Sequence, residues 1–329
     1  MSATVSWGFL STANINDKLL AGAAESDRVD VIAVASRDAA RAEAYARERG
    51  IERAYGSYEE LLDDPDVEAV YISLPNSLHV EWSIRALEAG KHVLCEKPLS
   101  RRAEDVERAF DVAEQAGRLL MEAFMYRHNP QTAKLEELVR GGAIGRLRLG
   151  RASFSFPLAD AENVRLNPSL DGGGLMDVGC YCVSGSRLLA GEPERVFGVA
   201  STESGVDVAF AGTMSFPREV VAQFDCGLKL PLRDELEAIG TEGSIFLDDP
   251  WHARKPVIEL RREDGVEEVV FEPVDSYRLE LENLADAIEG RGELLLGRED
   301  ALGQARTIDA LYRSAETGEA VALRRAEVP

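Results

Sequence analysis

Short apolar runs and longer amphipathic stretches alternate through the first third of the chain. Val5–Leu10, Val29–Ala35, Ala69–Ile72, His92–Cys95 and Leu119–Ala123 have the length and β-rich content of buried strands. Between them Ala13–Ala24, Asp38–Arg49, Asn76–Ala89 and Ala103–Ala116 carry helical periodicity, with Gly90 and Gly117 placed as C-terminal stops. Strands alternating with helices of this length predict βαβ units, hence a doubly wound α/β domain of the Rossmann type with a parallel sheet, over residues 1–123.

Beyond residue 124 the pattern changes. Leu147–Phe156, Arg195–Thr202, Val206–Phe216, Val220–Cys226, Glu235–Ile239, Ser244–Leu247, Val257–Arg261 and Glu267–Phe271 alternate or run apolar, separated by Gly, Pro and Asp turns. That signature predicts a large, open, mostly antiparallel sheet. The helical stretches Gln131–Arg140, Gly179–Ala190, Tyr277–Glu289 and Ala301–Glu316 are expected to cover one of its faces, making 124–329 an α+β domain. The face left uncovered is expected to pair with another copy.

The chain has 329 residues and a net charge of −22, from 59 acidic and 37 basic side chains. Such a field repels phosphate backbones and argues against a nucleic-acid partner. No apolar run approaches the length of a membrane span, and the first residues have no secretory pattern, so a cytoplasmic protein is expected. Cys95, Cys180, Cys182 and Cys226 have neither a zinc spacing nor disulfide density, and read as buried thiols; no metal is expected.

Against that acidity, a cationic side chain in a ligand-binding position stands out. Gly8, Ser11, Thr12, Ala13, Asn14 and Ile15 fall between the first strand and first helix, where small residues let a backbone approach a pyrophosphate held at the helix N-terminus. Only Gly8 is glycine; Ser11 and Ala13 stand at the other close-approach positions, and an ordinary strand-to-helix turn has a similar sequence. The second strand ends in Ser36 and Arg37, with Arg41 one helical turn on. A hydroxyl and a cation where NAD sites place an acid suit the 2′-phosphate of NADP, with NAD as the alternative; Asp38 is the one contrary residue.

Candidate chemistry follows at two places. Glu96-Lys97-Pro98 leaves the carboxyl end of the fourth strand, where ligands of open α/β sheets sit. A lysine there can hydrogen-bond a reacting oxygen and lower the pKa of a neighbouring acid. Further on, Gly172-Gly173-Gly174 leads into a helix on which Asp177 and Tyr181, four residues apart, share a face. That pair suits substrate orientation and proton transfer, although a helix cap and a packed tyrosine would have the same spacing.

In combination and order, Gly8-x-x-Ser11-x-Ala13-x-Ile15, Leu74-Pro75-Asn76-x-x-His79, Glu96-Lys97-Pro98, Glu122-Ala123-Phe124-Met125-Tyr126-Arg127 and Gly174-x-x-Asp177-Val178-Gly179-Cys180-Tyr181 resemble the glucose–fructose oxidoreductase / inositol dehydrogenase / rhizopine-catabolism family. The likeness extends to Gly240-Thr241-Glu242-Gly243-Ser244. It implies that Lys97 is the catalytic lysine and that Asp177 holds substrate. It also implies that Leu74, Pro75, Asn76, His79 and Glu96 line the cofactor, while Arg127 and His128 approach the substrate. Tyr181 stands where many members have histidine, which is similar to the subgroup of D-xylose dehydrogenase and dimeric dihydrodiol dehydrogenase. The resemblance therefore implies an NADP-dependent dehydrogenase of a carbohydrate or polyol, an aldose such as D-xylose or D-glucose. The alternatives are a dihydrodiol, inositol or keto-sugar substrate, or a non-catalytic dinucleotide-sensing regulator on the same fold.

Overall fold

The computed structural model describes residues 4–323. They form two units, one of residues 4–128 with 275–302 and the other of 129–274 with 303–323.

In the first unit the apolar runs become β1 (Val5–Leu10), β2 (Val29–Ala35), β4 (Ala69–Ile72), β5 (His92–Glu96) and β6 (Leu120–Ala123), with a further short strand β3 (Arg53–Tyr55). All pair in parallel, in the order β3-β2-β1-β4-β5-β6. The order reverses at β1, so the chain leaves β1 and β4 in opposite directions and opens a crevice beyond their carboxyl ends. Strand β3 and the helix Tyr58–Leu62 are not legible in the sequence. A strand of three half-buried residues has too little alternation to register as a period.

Helix ends follow local chemistry. Asp38 caps Ala39–Arg49 by accepting from the Arg41 N–H at 3.0 Å, and Gly117 ends Ala103–Ala116 in the left-handed region. The helix expected over Tyr277–Glu289 forms as Ser276–Ile288, but it packs on the first unit, not on the second sheet. Gly22 of the helix Asn16–Ala24 lets it close in: a Cβ there would lie 2.7 Å from the Arg278 backbone nitrogen. Arg28, just before β2, pairs with Asp286 of the Ser276–Ile288 helix at 2.6 Å. Periodicity gives a helix an apolar face without saying which sheet it covers.

The second unit holds a nine-stranded sheet of β7 (Leu147–Pro157), β8 (Arg195–Glu203), β9 (Val206–Phe216), β10 (Val220–Gly227), β11 (Lys229–Gly240), β12 (Ser244–Asp248), β13 (Val257–Arg262), β14 (Gly265–Val270) and β15 (Val321–Ala322). Its order is β14-β13-β12-β11-β7-β10-β9-β8-β15. Two meanders, β8–β10 and β11–β14, flank β7, so the β7–β10 pair is parallel and the other ladders are antiparallel. Alternation sends Phe154, Phe210, Phe224, Leu236 and Ile245 to a buried face. The helix Cys180–Ala190 and the end of Arg298–Thr317 cover it, the latter through Ser314 Oγ accepting from Gly198 N–H at 3.0 Å. The opposite face is open and carries Phe197 and Val199, the latter 58% exposed.

Candidate active site

The turn after β1 compensates for its missing glycines. Ser11 has φ 128°, a backbone conformation that glycine ordinarily supplies. Its Oγ holds the strained loop by accepting from the Ala13 N–H at 3.1 Å and lying 2.8 Å from Ser73 Oγ. Ser73 in turn donates to Asn16 Oδ1, and Asn16 donates to the Ser11 carbonyl. Among the described residues no side chain caps the N-terminus of the helix Asn16–Ala24. The N–H groups of Thr12, Asn14 and Ile15 have no acceptor among the described residues. A turn with free N–H groups at an uncapped helix N-terminus fits an anionic pyrophosphate.

Beyond β2, Ser36 is buried while Arg37 and Arg41 are exposed. Both guanidiniums act on the Tyr58 phenol, opposing the burial that raises its pKa, so the three groups lie together. Neither arginine has a carboxylate partner among the described residues, whereas Arg49 and Arg53 in the same unit pair with Asp17 and Asp64. Asp38, the contrary residue of the sequence, is engaged as a helix cap. Two uncompensated cations beside a small hydroxyl suit a phosphate monoester.

The exits of β4, β5 and β6 are clamped together. Glu96 accepts from the Tyr71 hydroxyl at 2.5 Å, and its other oxygen lies 3.3 Å from the Lys97 N–H. The Lys97–Pro98 bond is cis. The Pro98 carbonyl lies 2.9 Å from His79 Nδ1, and the Leu74 carbonyl lies 2.8 Å from His79 Nε2. Glu122, next to last in β6 before Ala123, accepts from the Leu99 N–H at 2.7 Å. His79 is therefore a buried strut between the two loops, and Pro75 and Asn76 lead into its helix through a short 3₁₀ turn. Glu280, buried behind this group, is pushed well above the ordinary carboxyl range by desolvation and by Glu96. Arg127 pairs with Asp300 at 3.3 Å, and burial with the Arg127 charge pushes His128 down to about 3, leaving it neutral.

In the second unit the helix of Asp177 and Tyr181 opens with a π-helical turn, Leu175–Gly179, before Cys180–Ala190 becomes α-helical. Sequence spacing suggested a uniform helix; the wider turn arises where Gly179 lets the backbone press on Cys226, whose Sγ would be 2.6 Å from a Cβ. Such turns recur at functional sites. Tyr181 is 6% exposed, its ring wedged edge-on to Phe154 at 5.4 Å and tilted on Trp251 at 5.8 Å. Trp251 is fixed by its indole N–H donating to the Ser153 carbonyl at 3.2 Å. Asp177 accepts from Arg165 Nε at 2.7 Å.

Asp207, overlooked in the sequence, holds this helix in place. Its carboxylate accepts from the Leu175 N–H at 2.6 Å and the Tyr312 hydroxyl at 2.9 Å. Gly173, at φ 132°, leaves room for it: a Cβ would lie 2.2 Å from Asp207 Oδ1. The available signal was a charge inside the apolar run of β9; Arg165 left none, lying in an irregular segment. Burial pushes the Asp207 carboxyl up to about 6 despite these bonds. Since the folded pKa lies above the ordinary carboxyl value, the stabilising contribution is present at low pH and is lost as pH rises from about 4 through 6. Across that window, Asp207→Asn is expected to gain about 3 kcal/mol relative to the unsubstituted protein. Urea unfolding at several pH values measures it, and a constant difference would contradict it.

One further cluster brings Asp234, Asp249 and His252 within metal-ligand reach of one another. Arg254 forks onto both Asp249 oxygens at 2.8 Å and lies 3.6 Å from Asp234, and His252 Nδ1 lies 3.0 Å from Asp234, so both carboxylates already have protein partners. Among the described residues no helix is long and apolar enough to cross a membrane, and all four cysteines are buried and none is in a disulfide.

Residues 7–124 match the oxidoreductase family with an NAD-binding Rossmann fold, and residues 132–246 match the GFO/IDH/MocA C-terminal domain. The chain is 41% identical over 325 residues to D-xylose 1-dehydrogenase (NADP(+)) 2 of Haloferax volcanii, covering 96% of this chain and 99% of that one. The aldose-aldose oxidoreductase of Caulobacter crescentus, complexed with glycerol, superposes with a TM-score of 0.90 at 28% identity, covering 97% of this chain and 100% of that one. The 3-ketoreductase KijD10 of Actinomadura kijaniata, in complex with NADP and TDP-benzene, gives 0.89 at 32% identity over 94% and 98%. The parallel sheet in its reversed order, the clamped Glu96-Lys97-Pro98 exit and the Asp177/Tyr181 helix thus occur in a chain that belongs to the GFO/IDH/MocA family of oxidoreductases.

Proposed function

We propose that the chain is an NADP-dependent sugar dehydrogenase, with residues 1–123 carrying the cofactor and 124–329 presenting an aldose. The observation that carries this reading is its likeness, over 96% of the chain, to an NADP-linked D-xylose dehydrogenase, in a sequence that has Lys97, Asp177 and Tyr181 together. The uncompensated Arg37 and Arg41 support NADP over NAD.

Bound NADP⁺ supplies the hydride acceptor, and the chain supplies placement and proton transfer. The Tyr181 phenolate takes the proton of the reacting sugar hydroxyl. Phenols titrate near pH ~10, so a cation has to stabilise the phenolate; the Lys97 ammonium does so. Asp177 fixes the sugar by accepting from its hydroxyls. Gly8, Ser11, Thr12, Ala13, Asn14 and Ile15 cradle the pyrophosphate, and Ser36, Arg37 and Arg41 the 2′-phosphate. Leu74, Pro75, Asn76, His79 and Glu96 shape the nicotinamide end, with Arg127 and His128 beside the substrate. NADP⁺ reduction assayed with aldoses, inositols and dihydrodiols tests the reading; activity confined to non-aldoses would replace it. The likeness to a 3-ketoreductase favours keto-sugar reduction as the second reading, assayed as NADPH oxidation.

We also propose a cytoplasmic homo-oligomer assembled through the open sheet face. Four buried cysteines outside any disulfide support a reducing compartment, and exposed Phe197 and Val199 support the interface. Light scattering is expected to give a dimer or tetramer, and Val199→Glu a smaller species; a monomer before substitution refutes it.

A further inference from the structure

The segment before the glycine run is docked onto it. The Arg165 carbonyl accepts from the Gly173 N–H at 2.9 Å, and the Asn167 carbonyl from the Gly172 N–H at 3.1 Å. Gly172 permits this approach, since a Cβ would lie 2.5 Å from the Arg165 oxygen. Asn163 fixes the 3₁₀ turn Val164–Leu166 by accepting from the Arg165 N–H. The Arg165 side chain is thereby delivered to Asp177. Its Nε donates to Asp177 Oδ2 at 2.7 Å, and Nη1 lies 3.4 Å from Asn163 Oδ1. Nη2, on the same edge of the guanidinium fork as Nε, has no partner among the described residues.

An exposed ion pair adds little stability, and Arg165 is 43% exposed where Asp177 is 14% exposed. Its chemistry says more. A carboxylate only accepts and a guanidinium only donates, whereas each sugar hydroxyl does both. Placed side by side, the two groups complement two neighbouring hydroxyls, one donating to Asp177 and the next accepting from Arg165 Nη2.

We infer that Arg165 is a specificity-determining residue that, with Asp177, selects substrates carrying vicinal hydroxyls. The inference deepens the proposed function and rests on it. A deoxy sugar leaves one member of the pair unsatisfied and is rejected, as sites built around a substrate hydroxyl reject analogues lacking it.

The test measures kcat/KM with NADP⁺ for D-xylose, D-glucose, 2-deoxy-D-glucose and 3-deoxy-D-glucose, in the unsubstituted enzyme, Arg165→Ala and Arg165→Lys. The unsubstituted enzyme is expected to prefer D-glucose over one deoxy sugar by about 100-fold, the cost of leaving one polar group of the pair unsatisfied. In Arg165→Ala that ratio is expected to fall at least tenfold, through loss on D-glucose, with KM for NADP⁺ unchanged. Arg165→Lys, which keeps charge but not the fork, falls between. Equal loss on all sugars would mean that Arg165 only anchors Asp177, and no loss on any would mean that it is idle; either overturns the inference. An unsubstituted enzyme that oxidises no aldose or polyol brings down the proposed function itself, and the inference with it. That failure is visible before any variant is assayed.

Discussion

Replacing Lys97 by alanine, or Tyr181 by phenylalanine, is expected to lower kcat by about 10²–10⁴-fold, the range over which positioned acid–base groups act. The two effects should not add, because one group is proposed to act through the other. KM for NADP⁺ should change little in Tyr181→Phe, which leaves the cofactor-binding turn intact. The phenylalanine substitution is well suited to the question. The Tyr181 ring is held by Phe154 and Trp251, contacts a phenylalanine ring retains, so a lost rate reports the hydroxyl and not the packing. In Lys97→Ala the residual rate should rise further toward high pH, as the phenol returns toward its ordinary pKa. Stopped-flow or steady-state turnover measures both. Near-normal kcat in the two variants would remove proton transfer from these residues.

Arg37→Ala is expected to reduce kcat/KM for NADP⁺ by about 10–100-fold, equivalent to one charge-assisted interaction of about 1.5–3 kcal/mol, and to leave that for NAD⁺ nearly unchanged. The size follows from the electrostatic setting. In a chain of net charge −22, Arg37 and Arg41 have no carboxylate ion-pair partner among the described residues and face a phenol instead. Removing Arg37 leaves Arg41 as the one cation of the pair, so Arg37→Ala/Arg41→Ala should lose more than either alone. An unaltered preference for NADP⁺ in Arg37→Ala would place the 2′-phosphate elsewhere.

Much of the first unit was legible because buried parallel strands produce short apolar runs, and the amphipathic helical stretches between them separate these runs from buried helix segments. β4 and the helix Ala103–Ala116 fall where the pattern places them. Where pattern failed, the cause was tertiary. β11 runs back to Lys229 because β7 continues to pair with it across an irregular register between Lys229 and Arg233, although its exposed first half shows no alternation. The parallel β7–β10 pair arises from two meanders closing on one strand, and strand content does not encode that choice.

The candidate residues divide in the same way. Ser11 was recognisable as a substitute for glycine, but its positive φ and its bonds to Ala13 and Ser73 depend on a strand sixty residues away in sequence. His79 is placed beside the cofactor by the family resemblance alone, whereas its two carbonyl contacts make it a strut between the β4 and β5 exits. Asp207 and Arg165 act on the Asp177 helix from a distant strand and an irregular segment, beyond any local spacing.

A crystal structure of the enzyme with NADP⁺ and D-xylose is the most direct test of the central claim. The expected result is Lys97 Nζ and Tyr181 Oη both within about 3 Å of one sugar hydroxyl, on the carbon facing the nicotinamide. A sugar bound with either group turned to bulk water, or with its reacting carbon away from the nicotinamide, would contradict it.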